Sequence, residues 1–206
     1  MILIGQYDSP FTRRVGIALT LYGLPFEHRP WSVFGDAAAL MRINPLGRVP
    51  VLLLAEGEAL IDSHIILDHL DSLMPAAERL VPLREPARRR ALKVAALATG
   101  LGDRVVSLFY ERRLHAAAAL ALTTRLEGQI AATLAELERR RAAVAAPYWH
   151  GPSFGHADIA VACVLRHLRE ALPDLMGDHP ALAAHCAGLE ALPVFQAISQ
   201  AFVPPS

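Results

Sequence analysis

The serine of the dipeptide Ser9-Pro10 is the first side chain in this sequence that is placed to do chemistry. It follows the apolar run 2–4, which predicts a buried strand, and it precedes apolar residues at helical spacing over 10–22. Serine is a preferred N-cap and proline a preferred first helical residue, so Ser9 is expected at a strand-to-helix turn. Free backbone N–H groups and the positive end of a helix dipole point outward there. The turn suits an anion such as a thiolate, although a serine in this position is by itself only a cap.

Two further segments place polar groups beside predicted strands. Val49-Pro50 directly precedes an apolar strand, a position where a proline is often cis and fixes a turn. Asp62-Ser63 follows the next strand and caps a helix, so a hydroxyl, a carboxylate and backbone donors meet at a second helix N-terminus. With these segments beside it, Ser9 is better interpreted as part of a ligand site than as a plain cap.

These segments resemble the N-terminal domain of the glutathione S-transferase family. The matching stretches read SPFTRRV at 9–15, NPLGRVP at 44–50 and DS at 62–63, in the order and spacing of that family. The resemblance is strongest over the first 75 residues and extends by pattern over nearly the whole chain. It implies a serine-type enzyme similar to bacterial, zeta-like and theta-like members, with glutathione as co-substrate and a homodimeric assembly.

The spacing of apolar residues predicts an α/β domain followed by an all-α domain. The order of short strands and helices over 1–75 predicts a four-stranded mixed sheet with helices on both faces, and the resemblance implies a thioredoxin-like fold. A polar, proline-punctuated stretch predicts a linker over 76–85, and helical periodicity continues over 86–206. Strands are expected near 2–6, 26–31, 50–54 and 58–61, and helices near 10–22, 36–43, 63–73, 86–114, 117–145, 156–171, 180–191 and 194–202.

The resemblance implies that Ser9 donates a hydrogen bond to the sulfur of glutathione. A thiol in water has a pKa near ~8.5 and only its thiolate is a good nucleophile, so a hydroxyl donor and a helix N-terminus act by lowering that pKa. Tyr7 is a rival donor, because other branches of the family use a tyrosine at the end of the first strand, but it can equally pack beside that strand. Thr12 is expected to bond back to its own helix. Neither Ser9 nor Thr12 is a cysteine, which excludes disulfide exchange through this turn.

The other two segments are expected to bind the peptide. The backbone of Val49 would pair with extended glutathione, and a cis bond before Pro50 would turn its N–H and C=O outward. The resemblance implies that Asp62 faces the γ-glutamyl ammonium and that Ser63 receives the adjacent carboxylate. Arg48 is a candidate for the glycine carboxylate, or else a solvated surface residue.

The first long predicted helix is expected to contribute to a pocket for a small apolar electrophile, since family members face the cleft there. Phe11 and Leu108 would supply apolar contact near the sulfur, and Phe11 also counts among the glutathione-binding residues. Asp158 resembles the buried capping aspartate of the family and is predicted to be a folding element. The candidate pocket residues are Tyr7, Phe11, Arg104, Ser107, Leu108 and Tyr110.

Composition argues against several other classes of protein. Basic and acidic residues number 20 each, so the zero formal charge favours neither nucleic acid nor an anionic membrane surface. The nine histidines and two cysteines do not fall at metal-binding spacing, so no metal is expected, and Cys163 and Cys186 are expected as buried, reduced thiols. No apolar run reaches the length of a membrane span and Met1 leads directly into a strand, so a cytoplasmic location is expected.

Two alternatives to a transferase stay open from the sequence. The same thiolate would serve a glutathione-dependent isomerase or dehalogenase acting on a defined metabolite. A transferase-like interaction module without activity is a third possibility, although the presence of Ser9, Val49-Pro50 and Asp62-Ser63 together weighs against it. The identity of the electrophile does not follow from the sequence.

Overall fold

The computed structural model of the protein describes residues 1–115 and 119–204. Its first 80 residues form a four-stranded sheet in the order β2-β1-β3-β4. The central strand β1 is parallel to β2 and antiparallel to β3, and β3 is antiparallel to β4, so the predicted mixed sheet is confirmed. The strands are β1 (Ile2–Ile4), β2 (Glu27–Arg29), β3 (Val51–Leu53) and β4 (Ala59–Leu60), and the helices are α1 (Pro10–Leu21), α2 (Ala37–Ile43) and α3 (Ser63–Leu73).

Helices cover both faces of this sheet, because successive strand residues point to opposite sides. Leu3 belongs to an apolar cluster with residues of α1 and α3. The adjacent Ile4 belongs to a second cluster with Leu40 of α2. Both strand residues are fully buried. The arrangement confirms the predicted thioredoxin-like architecture.

The helical part of the chain, Val81–Glu190, forms a second compact unit. Its central helix is α6, in which 12 of 16 residues are buried. Asp158 stabilises the start of α6, since its carboxylate accepts from the backbone N–H of Gly155 at 2.9 Å and of Trp149 at 3.0 Å. The helices are α4 (Ala87–Leu114), α5 (Leu120–Ala142), α6 (His156–Ala171) and α7 (Pro180–Glu190), with a 3-10 helix at Pro173–Leu175. The predicted start of α5 at 117 lies outside the described residues.

The end of the chain differs from expectation. The sequence places residues 191–204 in the helical domain, whereas their packing groups them with the sheet and α1–α3 in the first unit. The helix predicted over 194–202 is also shorter, since α8 comprises only Pro193–Ala197. The predicted bounds of the two domains, 1–75 and 86–206, stay a prediction. No described helix combines the length and apolarity that a bilayer crossing requires.

Candidate functional site

The Ser9 turn connects β1 to α1, and Ser9 is the N-cap of that helix with extended backbone angles. Its Oγ accepts a hydrogen bond from the backbone N–H of Thr12 at 3.3 Å. Its C=O accepts from Arg13 N at 2.9 Å, which fixes the backbone of the turn. A hydroxyl has one proton and two acceptor positions, so the cap bond leaves the Ser9 O–H proton available to a ligand.

Gly5 lets the Ser9 turn and the Val49 loop approach each other. Its φ of +128° lies in a region that side-chain-bearing residues avoid. A Cβ at this position would lie 2.5 Å from Thr12 Oγ1 and 2.7 Å from Val49 Cβ. Thr12 and Val49 therefore flank the same glycine. Gly5 is not among the site residues predicted from the sequence, although a glycine directly after a buried strand and before a helix is a usable signal.

Thr12 does not behave as the sequence predicts. Its hydroxyl is fully buried and, within the described residues, makes no hydrogen bond. The expected bond back to its own helix is therefore absent, because the hydroxyl lies against Gly5 instead. Thr12 contributes to the turn through its backbone N–H.

The Val49–Pro50 peptide bond is cis, as predicted. The buried side chain of Asn44 supports the preceding loop, because its Nδ2 donates to Arg48 O at 2.8 Å and its Oδ1 accepts from Leu46 N at 3.0 Å. Among the described residues the Val49 backbone makes no hydrogen bond, so its N–H and C=O are available to a peptide. Asn44 was part of the sequence motif, but its supporting role is visible only in the structure.

Asp62 and Ser63 begin α3. Asp62 is the N-cap, and its Oδ1 accepts from His64 N and from the Ser63 hydroxyl, both at 3.2 Å. Ser63 is buried while Asp62 is exposed. The sequence predicts that Ser63 offers two donors to a carboxylate, its hydroxyl and its backbone N–H. The hydroxyl donates to Asp62, so within the described residues the backbone N–H is the donor that stays available. The Arg48 side chain is exposed, which fits either of its two predicted roles.

Tyr7 packs into the first unit. Its ring stacks on His28 with a centroid distance of 3.8 Å and an interplanar angle of 11°. A Cβ at Gly16 would lie 2.8 Å from Tyr7 Cε1, so the ring also lies directly on α1. Burial raises the pKa of Tyr7 to about 12. These contacts favour the packing role that the sequence left open for Tyr7.

The predicted electrophile-pocket residues of α4 differ in how far they are buried. Leu108 is fully buried, a placement that helical periodicity alone does not fix, and its assignment to the pocket stays a prediction that this burial disfavours. Ser107 is exposed and its hydroxyl donates to Asp103 O at 2.7 Å. Arg104 is exposed, and Tyr110 is half-buried with its ring edge against Phe109. Phe11, on α1, is half-buried.

Metal-binding residues do not cluster in the part of the chain that the structure describes: no group of three or more His, Cys, Asp or Glu side chains is arranged to hold an ion. Both cysteines are buried and neither forms a disulfide within the described residues, and burial raises the pKa of the Cys186 thiol to about 12.

Both units of the chain match known protein families. Residues 3–78 match the family model of the glutathione S-transferase N-terminal domain, and residues 118–188 match that of the C-terminal domain. A glutathione S-transferase from Methylobacterium radiotolerans, crystallised in complex with glutathione sulfonate, is 32% identical. That structure aligns with a TM-score of 0.88 over 100% of this chain and 98% of its own.

Curated relatives align over a shorter region. The uncharacterized GST-like protein YibF of Escherichia coli K12 is 39% identical over 104 residues, which is 50% of this chain and 50% of that protein. The maleylacetoacetate isomerase of Pseudomonas aeruginosa is also 39% identical over 104 residues, 47% of this chain and 48% of the isomerase. The chain thus aligns with about half the length of these curated relatives.

Proposed function

The chain belongs to the glutathione S-transferase family, and from that premise we propose that it is an enzyme, a glutathione transferase that activates the thiol of glutathione for attack on a small apolar electrophile. The observation that carries this proposal is the hydroxyl of Ser9, which accepts the cap bond from Thr12 N–H and donates to no other group within the described residues. The relative crystallised with a glutathione derivative, which this chain matches over its full length, supports glutathione as the ligand.

The Ser9 turn would act on the sulfur in two ways. Its O–H donates a hydrogen bond that favours the charged thiolate, and the N-terminus of α1 adds a favourable dipole. Both effects lower the thiol pKa from its value of ~8.5 in water, so a larger share of the thiol is ionised at neutral pH. The thiol proton passes to solvent. The sulfur lone pair then forms a bond to the electrophilic carbon, and a leaving group departs with its electron pair.

Other groups of the first unit would bind the parts of glutathione that do not react. The N–H and C=O of Val49, which make no hydrogen bond among the residues that the structure describes, suit an extended peptide segment. At the start of α3, the exposed carboxylate of Asp62 suits an ammonium group and the N–H of Ser63 a carboxylate. Arg48 is exposed and suits the second carboxylate of the tripeptide.

We keep Phe11, Arg104, Ser107 and Tyr110 as candidates for contact with the electrophile. Three of these side chains are polar, and the exposed Arg104 and Ser107 are accessible to a ligand. A homodimeric assembly, a cytoplasmic location and a role in detoxification are further proposals, supported by the family membership alone. Sedimentation analysis of the purified protein tests the first of them.

A glutathione-dependent isomerase is the second candidate, because the isomerase of Pseudomonas aeruginosa shares 39% identity with this chain over 104 residues. There the same thiolate would add to a carbon–carbon double bond, allow rotation about the resulting single bond and leave again. Glutathione is then regenerated rather than consumed. A cis-configured unsaturated diketo acid distinguishes the two functions: a transferase consumes one glutathione per turnover, whereas an isomerase consumes none.

The proposal is tested by retention on immobilised glutathione and by conjugation of 1-chloro-2,4-dinitrobenzene. We expect retention, elution by free glutathione and a glutathione-dependent increase in absorbance from the conjugate. Retention without conjugation or isomerisation would support the non-catalytic interaction module. Failure of retention would contradict the assignment of the peptide site at Val49 and Asp62.

A further inference from the structure

The far end of the chain packs beside the Ser9 turn. Residues 191–204, which we call the C-terminal strap, belong to the same compact unit as the sheet and α1. The strap contains α8, which packs on α1. Phe195 in α8 is fully buried, and Ile198 directly after it is 8% exposed. The strap is therefore part of the core of this unit.

Arg13 joins α1 to the strap. Its Nε donates to Ile198 O at 2.9 Å and its Nη2 donates to Phe195 O at 2.8 Å. The guanidinium also lies over the Phe195 ring, 5.6 Å from the centroid. Arg13 is only 1% exposed, and a buried cation is stable only where such acceptors surround it. The two carbonyls lie at the end of α8, where the helix itself provides no donors. The contact therefore gives the Arg13 guanidinium its acceptors and the two carbonyls a donor.

Gly16 allows the strap to reach the helix. It lies three residues after Arg13, on the same face of α1. A Cβ at this position would lie 2.9 Å from Ile198 Cγ2 and 2.8 Å from Tyr7 Cε1. The absence of a side chain thus keeps both Ile198 and Tyr7 in direct contact with α1.

Gln200 reaches the other side of the turn. Its Oε1 accepts from the backbone N–H of Tyr7 at 3.2 Å, across 193 positions of sequence. Tyr7 precedes Ser9 by two residues and Arg13 follows it by four. The strap therefore holds the chain on both sides of Ser9.

We propose that the C-terminal strap is a positioning element for the Ser9 turn, with Gln200 and the carbonyls of Phe195 and Ile198 as the groups that hold it. This inference rests on the proposed function of that turn. Catalytic groups must be held close to their productive geometry, because a displacement of about 1 Å can cost roughly 10²-fold in rate. The strap fixes the backbone from which the Ser9 hydroxyl projects, without touching the substrate itself.

The experiment compares Gln200→Met with Gln196→Met in the full-length protein. Methionine keeps the length of glutamine and removes its acceptor, so Tyr7 N–H loses its partner. Gln196 lies on the same strap, and within the described residues its side chain makes one hydrogen bond, to Ala191 O at 3.4 Å, so it is the matched control. The pKa of enzyme-bound glutathione is measured from thiolate absorbance near 240 nm. Amide hydrogen exchange at Thr12 and Arg13, both of which donate to Ser9, is measured in the free protein.

We expect Gln200→Met to raise the pKa of the bound thiol by about half a unit to one unit, a roughly three- to tenfold loss of thiolate below that pKa. The affinity for glutathione is expected to change less than about twofold, because the Val49 and Asp62 contacts stay. Exchange at Thr12 and Arg13 becomes about threefold faster. Gln196→Met changes none of these quantities.

A thiol pKa that stays at the wild-type value in Gln200→Met would overturn the inference, and so would an equal rise in Gln196→Met. If glutathione does not bind at all, the proposed function fails, and exchange at Thr12 and Arg13 then decides whether the strap holds the turn. A parallel Ser9→Ala variant separates the two ideas. If that variant raises the thiol pKa and Gln200→Met does not, only the positioning role of the strap is wrong.

Discussion

Replacing Ser9 by alanine removes two different hydrogen bonds, and their effects can be separated. As an acceptor, Ser9 Oγ caps α1 through Thr12 N, and the 3.3 Å distance places this bond at the weak end of such caps. We therefore expect its loss to lower the free energy of unfolding by about 0.5–1 kcal/mol. As a donor, the hydroxyl acts on the sulfur, and removal of one preorganised donor typically costs roughly 10²-fold in rate. That factor corresponds to about 2.7 kcal/mol of transition-state stabilisation.

Ser9→Gly is the matched control. Like alanine, glycine lacks the hydroxyl, but it is a tolerated N-cap and lowers the free energy of unfolding by only a few tenths of a kcal/mol. Both variants should lose kcat/KM for 1-chloro-2,4-dinitrobenzene by about 10²-fold at pH 6.5. Urea unfolding should show the larger destabilisation only for Ser9→Ala. Activity and stability are then uncoupled, which a general loss of folding would not produce.

The pH profile gives the sign of the effect. The bound thiol is expected to have a pKa below ~8.5, so the rate of the wild-type enzyme falls only as the pH drops through that lowered value. In both variants the midpoint moves up towards ~8.5, so the fold loss in rate is largest below the wild-type midpoint and shrinks as the pH rises through the two midpoints. A thiol pKa and a rate unchanged in Ser9→Ala would refute the assignment and transfer the role to Tyr7 or to the backbone N–H groups.

Three further predictions concern the surroundings of the turn. Asp62→Ala should mainly raise KM for glutathione, by about tenfold, since Asp62 contacts a part of the peptide that does not react; a fall in kcat alone would contradict this placement. Tyr7→Phe should leave kcat/KM within about twofold of the wild type. Because burial raises the pKa of Tyr7 to about 12, its contribution to stability is complete below about pH 10 and is lost between pH 10 and 12; Tyr7→Phe should flatten that part of the pH–stability curve. Gly5→Ala should lower the free energy of unfolding by roughly 2–5 kcal/mol, because the new Cβ meets both a positive φ and close neighbours. Gly57→Ala is the control, since Gly57 has a positive φ but open space around it, and should cost about 1 kcal/mol. Equal losses in the two variants would show that the close approach at Gly5 is unimportant.

Much of the first unit follows from short stretches of sequence. The alternation of buried faces at Leu3 and Ile4, the N-caps Ser9 and Asp62 and the cis bond before Pro50 are local properties. Each depends on residue type and on neighbours a few positions away, and the structure has all of them. The strands are shorter than predicted: β1, for example, ends at Ile4 because Gly5 leaves the extended conformation.

Residues whose roles depend on distant partners were not predictable in the same way. Asn44 is an exception: its partner, Arg48 O, is only four residues away, but the loop conformation that brings the two groups together is visible only in the structure. Leu108 lies on a helix whose periodicity permits more than one buried face, and only the structure shows that Leu108 is fully buried. Thr12 has a hydroxyl directed at Gly5, a contact between different elements that no local rule provides.

The sequence by itself determined the family, the mixed sheet followed by helices, and the positions of the two capped helix starts, because these follow from local propensity and from motifs a few residues long. Only the tertiary structure decided that residues 191–204 return to the first unit and hold Tyr7 and Arg13 on either side of Ser9. The physical reason is that a buried guanidinium and a backbone N–H require acceptors. Which carbonyl supplies each acceptor is fixed by packing across more than 180 residues of chain.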